Sequence, residues 1–149
     1  MSEAIEREFI QSAVRSIQQT VGERPYGWLS RYLLTENTRR LLVEEGFSYH
    51  MDDYSDDLPF WNTDSGKPIV IMPYALDSND MKMWTDPAYT PDAWLKYAID
   101  TFDWLVKEGE SGAPKMMSLG VHLRIIGRPG RIGAFDSFLR HVTARRDVW

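Results

Sequence analysis

Three short stretches hold residues whose types and spacing could do chemistry. The first is "KMMSLGVHLRIIGRPGR", residues 115–131, where an apolar run ends in His122 and opens into a loop with Arg124, Arg128 and Arg131. Histidine exchanges protons near neutral pH, and arginine clamps carboxylate, ureido or phosphate oxygens through paired bonds. The competing readings are a neutral core histidine bonded to backbone and a loop of solvated charges. Arg128, before Pro129 and Gly130, has the composition of a turn. The second stretch is "LDSND", residues 76–80, which follows an apolar run. Asp77, Asn79 and Asp80 there can bind a ligand or cap the turn. The third is "DDYSDDLPFW", with Asp52, Asp53, Asp56 and Asp57. It could attract a hard cation but lacks the alternating ligand order of a calcium loop and its distal glutamate, so a solvated acidic loop is the plainer reading. Asp57, just before Leu58-Pro59-Phe60-Trp61, is the member expected to turn inward. In "RPYGWLSRY", Arg24, Trp28, Arg31 and Tyr32 stand without helical or strand periodicity, as loops that line sites do.

These residues need elements to position them. Residues 3–20 predict an amphipathic helix with Ile5, Phe9, Ala13 and Ile17 on its apolar face and Glu3 in its first turn. "TENTRRLLVEEG" predicts a short helix capped by Thr35 or Asn37 and ended by Gly46. "FSYHM" and "PIVIMPY" predict strands, with "DDYSDDLPFW" a loop and "DSGKP" a turn between them. "TPDAWLKYAIDTFDWLVKEG" is the plainest helix, with Thr90 as N-cap, Pro91 at its first position, a stripe of Trp94, Ala98, Phe102 and Leu105, and Gly109 at its end. "KMMSLGV" predicts a strand that would place His122 at its carboxyl end, where parallel α/β folds gather working residues. A last helix would carry Ile132, Phe135, Leu139 and Val142 inward, and "DVW" could begin a further strand. Helices alternating with uniformly apolar short runs predict a mainly parallel α/β arrangement in one domain, residues 1–149.

Bulk composition narrows the function classes. The chain has 149 residues, of which 43% are hydrophobic and 26% charged, with net charge -5 and no cysteine. An acidic chain without a basic block argues against nucleic acid as the main partner. The absence of cysteine excludes disulfides, zinc–thiolate sites and cysteine nucleophiles. No long apolar span or signal-peptide pattern appears, so the expectation is a cytoplasmic chain with no membrane association. The 6 Trp and 7 Tyr fill cores and also line pockets for rings and sugars. No Gly-rich phosphate loop, G-x-S-x-G elbow or H-E-x-x-H pattern is present.

The wording of "GERPYGW", "NTRRLLVEEGFSY", "DDLPFW", "GKPIVIMPYALDSNDM" and "GAPKMMSLGVHLRIIGRPGR" resembles the polysaccharide-deacetylase (NodB-homology) superfamily. It is most similar to the branch of metal-independent allantoinases. The resemblance implies an irregular (β/α) barrel, of which this chain would be the later, partial portion. It implies hydrolysis of non-peptide C–N bonds, in N-acetyl amino sugars or in the ring of allantoin. Carried over by position, it implies His122 as general acid, Arg31 as the site arginine, and Asp57 and Trp61 as residues shaping the site. Trp28, Asp77, Asn79, Asp80 and Arg124 would contact substrate.

The family's early motifs, including the metal-binding H-x-x-x-H, have no counterpart here: the three histidines are His50, His122 and His141. No metal or cofactor is therefore expected. The opening resembles a point about halfway along a member, and "DVW" the start of a missing strand, as in a member cut at both ends. Such a portion would expose sheet edges and apolar surface, so the expectation is a homo-oligomer or a complementary barrel half as partner. The expected substrate is a small polar ureide or N-acyl sugar. The alternative is a non-catalytic remnant serving as a binding or structural subunit.

Overall fold

The computed structural model describes residues 1–31 and 34–149; Tyr32 lies outside the described residues. The chain divides into two compact units, Met1–Tyr74 and Ala75–Trp149.

In the first unit, helix α1 (Glu3–Val21) ends at Gly22, whose φ of 87° is one that favours glycine and whose N–H bonds the carbonyl of Gln18. The face of α1 that packs is not the one its apolar spacing suggests. Ile10 is buried with Glu6, whereas Ile5, Phe9 and Ile17 are exposed and Ala13 is half-buried. Glu6 fixes this phase: its carboxylate accepts the hydroxyls of Thr35, at 2.6 Å, and of Thr38. Thr38 begins helix α2 (Thr38–Glu44), and the two threonines tie α2 to α1 through that buried acid. Neither expected cap side chain bonds as a helix cap; Asn37 sits at the N-cap position, but its Oδ1 accepts from Arg40 Nη2 at 3.2 Å instead of from a helix N–H.

The sheet lies in this unit, in the order β1 (Gly27–Trp28), β2 (Tyr49–His50), β4 (Ile69–Ile71), β3 (Phe60–Asn62). The first three run parallel and β3 pairs antiparallel with β4. Two segments expected as loops therefore supply strands. Gly27-Trp28 joins through Met51 N–H to the Trp28 carbonyl at 3.0 Å. Phe60–Asn62 folds back on β4 through a turn in which Gly66 has φ 84°. Both strands are too short for an alternating pattern to show. Gly27 is required by its neighbour, since a Cβ there would lie 2.1 Å from the Tyr49 ring. Leu41, Leu42, Phe47, Ile69 and Ile71 pack with Ile10 as the core.

In the second unit, a 3-10 turn (Asp80–Met83) precedes helix α3 (Pro91–Glu110), and helix α4 (Pro129–Thr143) closes the unit. Thr90 caps α3 by accepting the Ala93 N–H at 3.1 Å, with Pro91 in the first turn. The left-handed residue that follows α3 is Gly112, φ 92°, rather than Gly109. Trp94, Ala98 and Phe102 are buried, as the stripe predicts, while Leu105 is half-buried. From α4 the buried residues are Ala134 and Phe138, with Phe135 and Val142 half-buried and Ile132 and Leu139 exposed. The Phe102 and Phe138 rings meet edge-on at 6.3 Å. Residues 115–121, expected as a strand, join no ladder with the described strands, nor do residues 147–149. Segment 115–121 is held by single bonds instead: Ser78 Oγ to the Ser118 carbonyl at 2.7 Å and Asp80 N–H to the Gly120 carbonyl at 2.9 Å. No helix among the described residues is long and apolar enough to cross a membrane.

The phase of α1 is testable by urea denaturation. Ile10→Ala should cost about 2–5 kcal/mol, as a truncated core aliphatic does. Ile5→Ser should stay within about 0.5 kcal/mol.

Candidate functional site

His122 and Asp80 form the site's central pair in the second unit. His122 Nδ1 lies 2.7 Å from Asp80 Oδ1, and the His122 backbone N–H bonds Asp80 Oδ2 at 2.7 Å. The Ile126 N–H reaches the same oxygen at 3.2 Å. Asp80 is wholly buried. Its carboxyl thus serves as an acceptor for the opening of a tight turn, 122–127, in which the His122 carbonyl receives the N–H groups of Ile125 and Ile126 at 2.8 and 2.9 Å. Gly127 belongs at the end of that turn, because a Cβ would stand 2.4 Å from the Leu123 carbonyl oxygen. Ile125 and Ile126 anchor the turn in the core beside Trp94. Because Asp80 accepts at Nδ1, the imidazole's proton is held there and Nε2 is left for a ligand. The ring is 24% exposed, so that edge reaches solvent. A histidine oriented by a buried acid, with its second nitrogen open, is equipped to pass a proton to or from a bound group.

The other expected site residues have varied placements. Asp80 and Asn79 are buried; Asp80 holds His122, and Asn79 caps the 3-10 turn by accepting the Met81 N–H at 2.8 Å. Asp77 is exposed and accepts the Tyr97 hydroxyl at 2.9 Å, which raises the Tyr97 phenol above its ordinary value. Arg124 is exposed beside the Met81 sulfur. In the first unit, Trp28 is a core residue, edge-on to Phe9 at 6.0 Å and to Phe47 at 5.5 Å. Trp61 is 68% exposed. Arg31 is exposed, with a left-handed φ of 48°. Asp57, expected to turn inward, is exposed, and its N–H bonds the Asp56 carboxylate. The inward members are Asp52 and Asp53, because they directly follow β2 and are carried by it.

Around Asp52 and Asp53 stands a second polar group that the sequence reading passed over. The Ser30 N–H bonds Asp52 Oδ2 at 2.7 Å, and the Trp28 indole N–H bonds Ser30 Oγ at 2.8 Å. Arg39 of α2 donates through Nε to His50 Nε2 at 3.0 Å and through Nη2 to Asp53 Oδ2 at 2.8 Å. Asp53 also accepts the N–H of Ser55 at 2.8 Å. Burial pushes the Asp52 carboxyl up, but the His50 ring and the Ser30 donors outweigh it, and the group lies below its ordinary value. Asp53 is likewise pushed up by burial and pulled lower overall by Ser55 and Arg39. The available signal was His50 itself, a histidine at the end of an apolar run just as His122 is. A small, mainly apolar cavity of about 10 Å³ lies among Phe9, Ile10, Trp28, Ser30 and their neighbours.

No family model matches the chain. A protein of Schizosaccharomyces pombe described as "Putative polysaccharide deacetylase" is 36% identical over 97% of this chain and 50% of its own length. The crystal structure of Puue allantoinase superposes with a TM-score of 0.89 at 44% identity, over all of this chain and 50% of that one. A structure described as a "probable Polysaccharide deacetylase" from Pseudomonas aeruginosa PAO1 gives a TM-score of 0.90 at 42% identity, again over 100% and 50%. The chain spans about half the length of these relatives.

Two predictions follow from the site's electrostatics. Asp80→Ala strands three donors, each costing about 1–3 kcal/mol, and should destabilise the second unit by about 3 kcal/mol or more in urea. In the first unit, carboxyls lowered in the fold lend stability that is complete above their ordinary value of 3.8 and is lost as pH falls through their lowered values. Loss of the Trp28 fluorescence signal on acidification should therefore begin only below about pH 4, and Asp53→Asn should make that loss shallower.

The mixed α/β fold with its parallel-rich sheet is thus similar to one half of a solved allantoinase and to one half of a solved probable polysaccharide deacetylase.

Proposed function

We propose that the chain supplies part of a hydrolase acting on non-peptide C–N bonds of a small ureide or N-acyl sugar. The observation that carries this reading is the Asp80–His122 pair, with its proton held at Nδ1 and Nε2 open. Water adds to an amide-type carbonyl and releases one proton to solvent as the C–O bond forms; the C–N bond breaks, protonated His122 gives the departing nitrogen its proton from Nε2, and solvent returns a proton to the ring for the next turnover. Asp80 keeps the ring in register and steadies the imidazolium before the transfer. Arg31 is the candidate for meeting the negative charge that grows on the carbonyl oxygen. Trp61, Asp77 and Arg124, all exposed, are candidates for contacts to the ligand. The reading includes a cytoplasmic location, without metal or cofactor, and assembly either as a homo-oligomer or with a complementary barrel half.

A second reading is a binding or structural subunit without turnover. Assays with allantoin and with an N-acetylglucosamine oligomer separate the two. Loss of the general acid in His122→Ala should lower turnover about 10²–10⁴-fold. Turnover that survives this substitution removes His122 from the mechanism. Absence of turnover together with ligand-dependent thermal stabilisation supports the binding subunit.

A further inference from the structure

His50 is fully buried, and its Nδ1 has no hydrogen-bond partner among the described residues. A buried donor without a partner costs about 1–3 kcal/mol and calls for an explanation. Its other nitrogen gives one. Arg39 Nε is always a donor, so His50 Nε2, 3.0 Å away, must be the unprotonated acceptor. The ring proton is therefore on Nδ1, which faces Asp52 Oδ2 at 3.8 Å, beyond hydrogen-bond distance. Asp52 already accepts from Ser30 N–H, and Ser30 Oγ is in turn held by the Trp28 indole. Two donor chains, Arg39–His50 and Trp28–Ser30, thus converge on one carboxylate from the carboxyl ends of the parallel strands β1 and β2. Arg39 is committed to Asp53 and His50. Asp52 is left as an enclosed acid, its side chain 8% exposed, that accepts the Ser30 backbone N–H and has the His50 ring facing it beyond bonding distance. The carboxyl ends of parallel strands are where such sheets bind ligands.

We propose that Asp52 is a ligand-anchoring carboxylate that accepts N–H groups of an amide or ureide, and that His50 is its positioning residue, fixed by Arg39 with the proton on Nδ1. The ligand class rests on the reading under Proposed function; the form of His50 does not.

Long-range proton–nitrogen NMR of the full chain, with histidine labelled and His50 assigned by its absence in His50→Gln, reads the ring directly. The expected spectrum shows His50 protonated at Nδ1 and bare at Nε2 near neutral pH, with that preference relaxed in Arg39→Met. A proton on Nε2 overturns the positioning role, whatever the activity. Calorimetric titration with allantoin and with N-acetylglucosamine then tests the anchor. Asp52→Asn, which can still accept the Ser30 N–H, should weaken binding about 10–100-fold, the worth of one hydrogen bond to a charged group. His50→Gln, which accepts from Arg39 and donates toward Asp52, should bind nearly as wild type, whereas His50→Leu should lose as much as Asp52→Asn. His122→Ala should retain binding. Equal binding by wild type and Asp52→Asn overturns the anchor. If wild type binds neither compound, the amide-ligand reading falls and the anchor with it, while the spectrum still decides how His50 is held.

Discussion

A carboxyl group shut away from water must find its donors inside the protein, and this constraint organises both units. Asp80 is the plainest case: fully buried, it collects two backbone N–H groups and a ring nitrogen, all from the turn that begins at His122. The turn cannot shift without stranding them. Glu6 performs the same service between α1 and α2 with two threonine hydroxyls, and Asp52 between the ends of β1 and β2 with Ser30. Among the described residues, none of the three is satisfied by an arginine or lysine. The arginine–glutamate pairs that Arg7 and Arg40 make with Glu3 and Glu44 lie on the surface, where such pairs contribute little.

That division explains what could be read from the sequence. Periodicity, caps and apolar runs reveal α1, α2, α3, β2, β4 and α4, because each is a local pattern. The Thr90–Pro91 start of α3 was legible for the same reason. What was not legible is long-range satisfaction of polar groups. Asp80 and His122 stand 42 residues apart, and nothing in "LDSND" marks its last aspartate as the buried one. The phase of α1 was misjudged because a four-residue row of Ile5, Phe9, Ala13 and Ile17 looks like a core face. The face that packs instead contains a glutamate, which periodicity scores as polar, and only Thr35 and Thr38 make its burial affordable. Strands β1 and β3 were read as loops because two or three residues carry no alternation, and Gly27 weakens the β signal further while fitting against Tyr49.

The candidate site divides in the same way. A histidine after an apolar run was enough to single out His122, and the resemblance of "GVH" to a deacetylase motif strengthened it. The same local pattern occurs at His50, but its surroundings made it pass for a strand residue. The two histidines are distinguished by what holds them. Asp80 accepts from His122 Nδ1 and leaves Nε2 open, whereas Arg39 donates to His50 Nε2 and turns Nδ1 inward. One ring presents its free nitrogen to solvent; the other is wholly enclosed and faces a carboxylate. Both nevertheless have the Nδ1 proton, one fixed by an acceptor at that atom and the other by a donor at the opposite atom.

Exposed apolar surface completes the argument. On α1, Ile5 is 62% and Val21 70% exposed, and Leu123, next to His122, is 89% exposed. Single exposed aliphatics are ordinary on a folded surface. A row of them on one helix is less so, and the relatives that share this fold at TM-scores of 0.89 and 0.90 are twice as long. Core formation within each unit is already complete without these side chains, since Ile10, Leu41 and Ile71 in one and Trp94, Ile125 and Phe138 in the other are nearly free of solvent. The apolar residues left outside are therefore not a failure of either core to close. They are surplus to folding of the units, which is the physical condition a surface must meet to be available for association.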